Sequence, residues 1–597
     1  STPWRPRNDR PRKGARVERP CSRTRIEDSS ESPLLAGSLR TPEQSDRAAG
    51  EEDAALHNTA LSARGGAASR LREIALFSWA LVATAAVIVL AVPSLASVSS
   101  SSKRNLVFMV SDGMGPASLS LTRSFRQLVD DLPYSDTLVL DQHFWGTSRT
   151  RSSNSLVTDS AAGATAFSCG RKSYNGAISM LPDSQPCGTV LEAAKRAGYV
   201  TGLVVTTDIT DATPACFASH VHMRTQEDEI ALHEIGEGVL GRSVDLILGG
   251  GRCHFLPNSS AGSCRADDVN VAGIAQSKHG WTYVDSRAGF DTLGLGKNVS
   301  LPLLGLFAST DVPFEIDRRN MADVYPSLSE MALTALTALE AATKDSERGF
   351  FLMIEGSRID HAGHFNDPAA QVREVLEYDK TFKSVVDFLD DSDTEGILVA
   401  TSDHETGGLA LARQGPGELP VYNWNPKVLA NANASAEHLA LLLRQRIESV
   451  VEDPDVLREW INKDLVVSRL GIHDALEMEI NALASSPLHA TTLFAHMISM
   501  RARIGWATHG HSAVDVNIYS SGGAAAEKIR GNVENTEVGK FLREYLGVNV
   551  DTITKELRQK MRGQKAPAGL AGFDEAGLLV GQDGGHPHEW LIKVPEV

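Results

Sequence analysis

The chain has 597 residues, of which 42% are hydrophobic, 6% aromatic and 22% charged, which excludes a wholly disordered or collagen-like protein. Its formal net charge of −17 speaks against a nucleic-acid binder, whose affinity rests on Lys and Arg placed against phosphates. The length allows several domains or one large α/β domain with insertions.

The charge is unevenly spread. Residues 1–73 carry 14 Lys/Arg and 11 Asp/Glu, a net of +3, which leaves 44 and 64, a net of −20, for the rest. This first segment is rich in Arg, Pro, Ser and Ala without sustained apolar periodicity and reads as a disordered tail. Residues 74–92, IALFSWALVATAAVIVLAV, carry no charge. About 20 apolar residues cross the hydrocarbon core of a bilayer, so this run predicts one transmembrane helix. A secretory signal peptide would put its apolar run near the start of a chain.

Arg64, Arg70 and Arg72 precede the run, and the Ser-rich SVSSSSKR follows it. Positive-inside logic then predicts a single-pass type II protein with a cytoplasmic tail and a lumenal or external region after the run. Two features after the run agree. Glycosylation sequons stand at Asn258, Asn298 and Asn433, and five of the six cysteines lie there, as suits an oxidising compartment. Cys253 and Cys264 bracket a short polar loop and are the expected disulfide; with five cysteines, at least one thiol stays free or pairs between chains. The C-terminal HEWLIKVPEV lacks the hydrophobic tail of a GPI signal.

From Asn105 onward, short β-rich runs alternate with helical segments, the pattern of an α/β sheet. Four predicted strands end in hard ligands. The run at 106–110 ends in Ser-Asp112-Gly-Met-Gly, and that at 199–210 leads to Asp211-Ala-Thr213-Pro. The run at 349–354 ends in Glu355-Gly, and that at 396–402 in Asp403-His404-Glu-Thr-Gly-Gly. Open α/β sheets place their sites at the carboxyl ends of their strands. Asp360 and His364 are spaced i, i+4, so on a helix both project from one face. One such pair or one Asp-Gly turn is commonplace; the joint pattern is not. A mixture of carboxylates and imidazoles suits Zn²⁺, and all-oxygen positions favour Mg²⁺.

Val157-Thr-Asp159-Ser160-Ala-Ala-Gly-Ala-Thr165 places a Ser at the head of a small-residue run. Asp159 and Ser160 then fall at a helix N-terminus, where exposed N–H groups and the dipole favour an anion. In isolation such a Ser is an ordinary helix cap; beside metal ligands it becomes a candidate nucleophile, because a metal lowers a hydroxyl's pKa.

VTDSAAGAT, together with SDGMG, DATPA, EGSRIDHAGH, TSDHETGG and THGHSAVDV, resembles the alkaline phosphatases, over residues 105 to 525. The segments LILGGGR and GLFASTDVPFEIDR resemble family segments too, and the membrane topology looks most like the fungal vacuolar branch. Glu31-Ser-Pro-Leu34-Leu35 resembles an acidic dileucine sorting signal with its acid one position nearer the leucines than usual.

The resemblance implies that Ser160 is phosphorylated as the nucleophile. It implies one Zn²⁺ held by Asp112, Asp403 and His404, and a second held by Asp360, His364 and His511. A third metal, Mg²⁺, is implied at Asp112, Thr213 and Glu355. Arg224, thirteen residues after Asp211, is implied as the phosphate clamp, with Asp159 also at the substrate. The outer positions of the third site hold Asp211 and His361, a mixed pair for this family, which leaves the third metal's identity open. His220, His222 and Glu405 lie near these motifs and read as structural.

The expected architecture is a large, mostly parallel central sheet flanked by helices, with the catalytic domain over 105–545. Residues 413–505 read as a helical insertion, used in the family for crown or dimer contacts, so a homodimer is implied by resemblance. Residues 546–597 read as a helix and a tail. The implied activity is hydrolysis of phosphate monoesters. A phosphodiesterase or nucleotide pyrophosphatase usually carries a Thr nucleophile and lacks the third-site ligands. A sulfatase needs a C/S-x-P-x-R run, and an inactivated scaffold would have lost Ser160, Arg224 or a ligand. The sequence meets none of these conditions.

Overall fold

The computed structural model describes residues 103–449 and 453–562, together with 75, 76, 78 and 79. The expected tail (1–73), most of the apolar run (74–92) and residues 563–597 fall outside the described residues. Among the described residues no helix is long and apolar enough to cross a membrane.

The β-rich runs form β1 (Arg104–Val110), β2 (Phe144–Arg149), β3 (Val200–Asp208), β4 (Leu246–Gly250), β5 (Thr282–Val284), β6 (Leu303–Leu306), β7 (Phe350–Glu355) and β8 (Glu395–Thr401). Four short strands follow, β9 (Glu405–Thr406), β10 (Ala410–Leu411), β11 (Ile504–Gly505) and β12 (His511–Ser512), then β13 (Val516–Ser520) and β14 (Gly531–Glu534). Ten of them make one sheet in the order β14-β2-β13-β8-β1-β7-β3-β4-β6-β5. β13 runs antiparallel to β2 and β8, and the other pairings in this sheet are parallel.

Because strand side chains alternate, β1 feeds two cores. Leu106, Phe108 and Val110 pack on one side with Phe167, Phe217 and Phe351; Val107 and Met109 pack on the other with Leu336, Tyr378 and Phe382. Both faces are covered, as a parallel sheet requires. The segment expected as a helical insertion holds helices such as Ala436–Ser449 and Ala490–Ala502. Their Leu439, Leu443, Phe494 and Ile498 form a third core with Phe314, Ala362 and Val372 of the main body.

Cys253 and Cys264 are bonded, as expected, and Cys169 pairs with Cys187. Cys216 is free and buried. Asn258, Asn298 and Asn433 are exposed in loops and turns.

The small-residue run after Ser160 becomes the helix Ser160–Cys169, every residue of which is buried. Close packing explains its composition. A Cβ on Gly163 would stand 2.9 Å from the Cβ of Asp403, and one on Gly539 would stand 2.4 Å from the carbonyl oxygen of Ala166. We predict that Gly539→Ala destabilises the fold by about 1–3 kcal/mol through overpacking, read as a lower denaturant midpoint with unchanged slope.

Candidate active site

β1, β7 and β8 are neighbours in register, so their carboxyl ends bring Asp112, Glu355 and Asp403 together. Val110 pairs with both Glu355 and Thr401. The turn after β1 needs Gly113, whose φ is +73° and whose Cβ would meet the Cα of Asp360 at 2.6 Å; any side chain here would push the helix Arg358–Phe365 away. That helix carries Asp360 and His364 on one face.

His511 arrives from far along the chain through a two-stranded ladder in which it pairs with Thr406 of β9. The whole helical insertion lies between the two strands. This ladder lays the His511 ring on that of His404 at 3.5 Å between centroids.

Burial and the carboxylates of Asp403, Asp360 and Glu355 push the Asp112 carboxyl well above its usual range. Burial also works on Asp360, but the imidazoles of His364, His511 and His404 hold it well below. Burial, reinforced by His404, keeps the His511 imidazole neutral, well below its usual value. Burial pushes Glu355 up to about 8, with a hydrogen bond from Ser357 opposing.

The imidazoles are oriented from behind. His364 Nδ1 donates to the carbonyl of His509 at 2.5 Å and His511 Nδ1 to that of Thr158 at 2.8 Å. Their Nε2 atoms then face each other at 3.1 Å, with Asp360 Oδ2 3.1 Å from His364 Nε2 and Asp360 Oδ1 3.7 Å from His511 Nε2. Two nitrogen lone pairs and a carboxylate converging on one point repel unless a cation lies between them. This donor set fits Zn²⁺.

Asp112, Asp403 and His404 make a second converging group. In it His404 Nε2 lies 3.1 Å from Asp403 Oδ2 and 3.5 Å from Asp112 Oδ1. Both of those oxygens are buried without hydrogen-bond partners among the described residues. They fit a cation as well.

Ser160 Oγ lies 3.0 Å from His404 Nε2. Asp159 caps the helix through Ala162 N–H at 3.0 Å and also accepts from Gly176 N–H at 2.7 Å. Arg224 is held between two acids, donating to Asp211 Oδ1 at 2.6 Å and standing 3.7 Å from Asp159 Oδ2. The guanidinium is thereby fixed against Asp159, the residue that precedes Ser160. Thr213 is buried in the first turn of the helix Ala212–Ala218, which Asp211 caps.

A model of the family described as alkaline phosphatase matches residues 103–548. The chain belongs to the alkaline phosphatase family. The repressible alkaline phosphatase of Saccharomyces cerevisiae is 52% identical over 490 residues, which cover 79% of this chain and 86% of that protein. The alkaline phosphatase of Schizosaccharomyces pombe is 47% identical over 76% of this chain and 83% of its own. Among solved structures, the Thermus thermophilus alkaline phosphatase superposes with a TM-score of 0.63 at 27% identity, covering 77% of this chain and 95% of that one. Family and fold together support phosphomonoester hydrolysis.

Seen as an alkaline phosphatase, the chain brings Asp112, Ser160, Asp360, His364, Asp403, His404 and His511 into one cluster, with Glu355 at the neighbouring strand end. The two residues expected around the third metal have other partners as well. Asp211 anchors Arg224, and His361 Nδ1 lies 3.3 Å from Asp311 Oδ2. His220 is buried on Glu192 at 2.8 Å, a structural role as expected. Glu405 is structural too, accepting from the backbone of Gly408 and Leu409 and from Ser512.

Two residues inside the recognised motifs gained no role from sequence. Thr406 donates to Asp360 Oδ1 at 2.5 Å and lies 3.2 Å from His404 Nδ1. His509 supplies the carbonyl that orients His364. Their position inside TSDHETGG and THGHS was the available signal.

Two predictions follow from these contacts. Thr406→Val should weaken metal retention by tenfold or more, as loss of an outer partner does, read as metal per chain after dialysis. Arg224→Lys, which cannot present a fork to two phosphoryl oxygens, should raise the inhibition constant for inorganic phosphate about tenfold; an unchanged constant removes Arg224 from the phosphate site.

Proposed function

We propose that this alkaline phosphatase hydrolyses phosphate monoesters through a phosphoserine on Ser160, releasing an alcohol and then inorganic phosphate. The observation that carries the reading is Ser160 Oγ at 3.0 Å from His404 Nε2, beside two converging groups of acids and imidazoles.

One Zn²⁺ is assigned to Asp112, Asp403 and His404, a second to Asp360, His364 and His511, and Mg²⁺ to Asp112, Thr213 and Glu355. When bound, these ions supply the positive charge that lowers the Ser160 hydroxyl's pKa and steadies both ends of an in-line displacement.

The chain's own residues do the rest. Arg224, clamped by Asp211 and Asp159, holds two phosphoryl oxygens in its planar fork. The free N–H groups at the start of the helix Ser160–Cys169 face the same anion. Ser160 Oγ forms a bond to phosphorus as the ester oxygen leaves, and water then cleaves the Ser160–phosphate bond, restoring the hydroxyl. The residues assigned here act on the phosphoryl group, which every phosphate monoester shares, and this favours broad specificity over a single substrate.

The setting is proposed from the sequence. The 74–92 run anchors a type II protein with its catalytic region in the lumen, and the resemblance to the fungal branch and the dileucine-like tail motif support the vacuolar membrane as its setting. Asn258, Asn298 and Asn433 are glycosylated there; their exposure supports this. A homodimer is proposed from the family alone.

Ser160→Ala should lower kcat for p-nitrophenyl phosphate by at least about a thousandfold, as loss of a catalytic nucleophile does. Chelation of the wild type should abolish activity, and Zn²⁺ with Mg²⁺ should restore it. A wild type that stays inert with both metals restored would overturn the reading.

A further inference from the structure

A second group of metal-ligating side chains lies at the carboxyl end of β3, apart from the residues assigned to catalysis. Asp208 is the last residue of β3. Glu227 opens the helix Glu227–Leu232, and His254 stands in the turn Arg252–Phe255 after β4. One donor atom from each lies within 4.8 Å of the others. His254 Nε2 is 2.9 Å from Glu227 Oε2 and 3.8 Å from Asp208 Oδ2. The three side chains keep 7%, 14% and 9% exposure respectively.

The other face of the imidazole is also engaged. His254 Nδ1 lies 3.1 Å from Asp228 Oδ1, and Asp228 Oδ2 is fixed by the Ala266 N–H at 2.9 Å. A carboxylate at Nδ1 orients the imidazole so that Nε2 is turned toward the two acids. Metal-bound imidazoles are oriented in this way. The buried cation nearby is committed elsewhere: Arg265 closes its fork on Asp267 at 2.7 and 2.9 Å, and its remaining nitrogen donates to the carbonyls of Asp228 and His254.

Glu234 is a separate observation that points to a ligand. It is fully buried, and neither of its carboxylate oxygens has a hydrogen-bond partner among the described residues. It stands seven residues after Glu227, in the π-helical turn His233–Glu237 that continues the helix Glu227–Leu232. Burial and the Glu227 carboxylate hold its carboxyl well above the usual range.

We propose that Asp208, Glu227 and His254, with Glu234 behind them, form an additional binding site for a divalent transition-metal ion, distinct from the catalytic ligands. One imidazole nitrogen with carboxylate oxygens is a donor set for Zn²⁺ or Mn²⁺, whereas Ca²⁺ takes oxygens throughout. An ion here ties the end of β3 to the turn after β4. Asp211 and Thr213 follow three and five residues after Asp208, so the ion is a structural brace for the strand end that carries them. The competing arrangement is a buried imidazolium paired with the acids and no metal. The proposal does not rest on the phosphoserine reading.

The full-length chain is stripped with chelator, reloaded with Zn²⁺ and dialysed, and zinc per chain is measured for the wild type, His254→Gln, His364→Gln and the double variant. His254→Gln should lose one equivalent, and the double variant should lose that equivalent in addition to the loss from His364→Gln. Equal zinc in the wild type and His254→Gln overturns the proposal. Because His254→Gln could misfold, anomalous diffraction at the zinc edge from zinc-loaded wild-type crystals gives an independent answer. A peak beside His254 Nε2 supports the site. Peaks at the catalytic cluster alone overturn it and leave the catalytic reading standing, and no peak anywhere removes both.

Discussion

Four carboxylates and three imidazoles share one buried volume at the carboxyl edge of β1, β7 and β8, and much of the surrounding structure answers to that charge. Asp112, Glu355, Asp360 and Asp403 are each buried. At their separation and in a medium less polarisable than water, like charges repel by several kcal/mol. Burial, with neighbouring carboxylates adding to it, displaces the proton affinities of Asp112 and Glu355 upward, while the imidazoles outweigh burial at Asp360 and displace its own downward. A cluster of this kind persists in a native protein only where the chain holds it in place, and its converging donors fit cations.

The means of holding it are local and specific. Carbonyls of Thr158 and His509 take the Nδ1 protons of His511 and His364. Thr406 ties Asp360 to the strand pair that carries His511. Glycines at 113 and 163 let the helices Arg358–Phe365 and Ser160–Cys169 approach the strand ends. The helical insertion contributes from outside: Glu437 of its helix Ala436–Ser449 accepts from Arg358 at 3.0 Å, while Arg358 lies 3.8 Å above the ring of Phe314. Arg358 begins the helix that presents Asp360 and His364, so the insertion braces the site as well as covering it.

Arg224 shows the same economy on the substrate side. A free arginine side chain would lose rotamer freedom on gripping a phosphoryl group. Here Asp211 and Asp159 have already fixed it, and each acid also caps a helix, one at Ala212 and one at Ser160. Arg224, Ser160 and Thr213 are therefore positioned through two shared carboxylates. The cluster at Asp208, Glu227 and His254 repeats this logic at the other end of the same loop.

Much of the candidate site was legible because its acids and imidazoles sit where short-range rules put them. Strand ends delivered Asp112, Glu355 and Asp403-His404, an i, i+4 pair delivered Asp360 and His364, and a small-residue run marked Ser160. The mostly parallel sheet followed from alternating β-rich and helical segments. Sequence alone could not say which strands are neighbours, because pairing across β1, β7 and β8 depends on contacts hundreds of residues apart. Nor could it show that His511 stacks on His404, that Thr406 reaches Asp360, or that Glu227, Glu234 and His254 meet Asp208. Local patterning settles what each segment presents and on which face. Only packing in three dimensions decides which buried charges must share a space, and from that their ionisation arises.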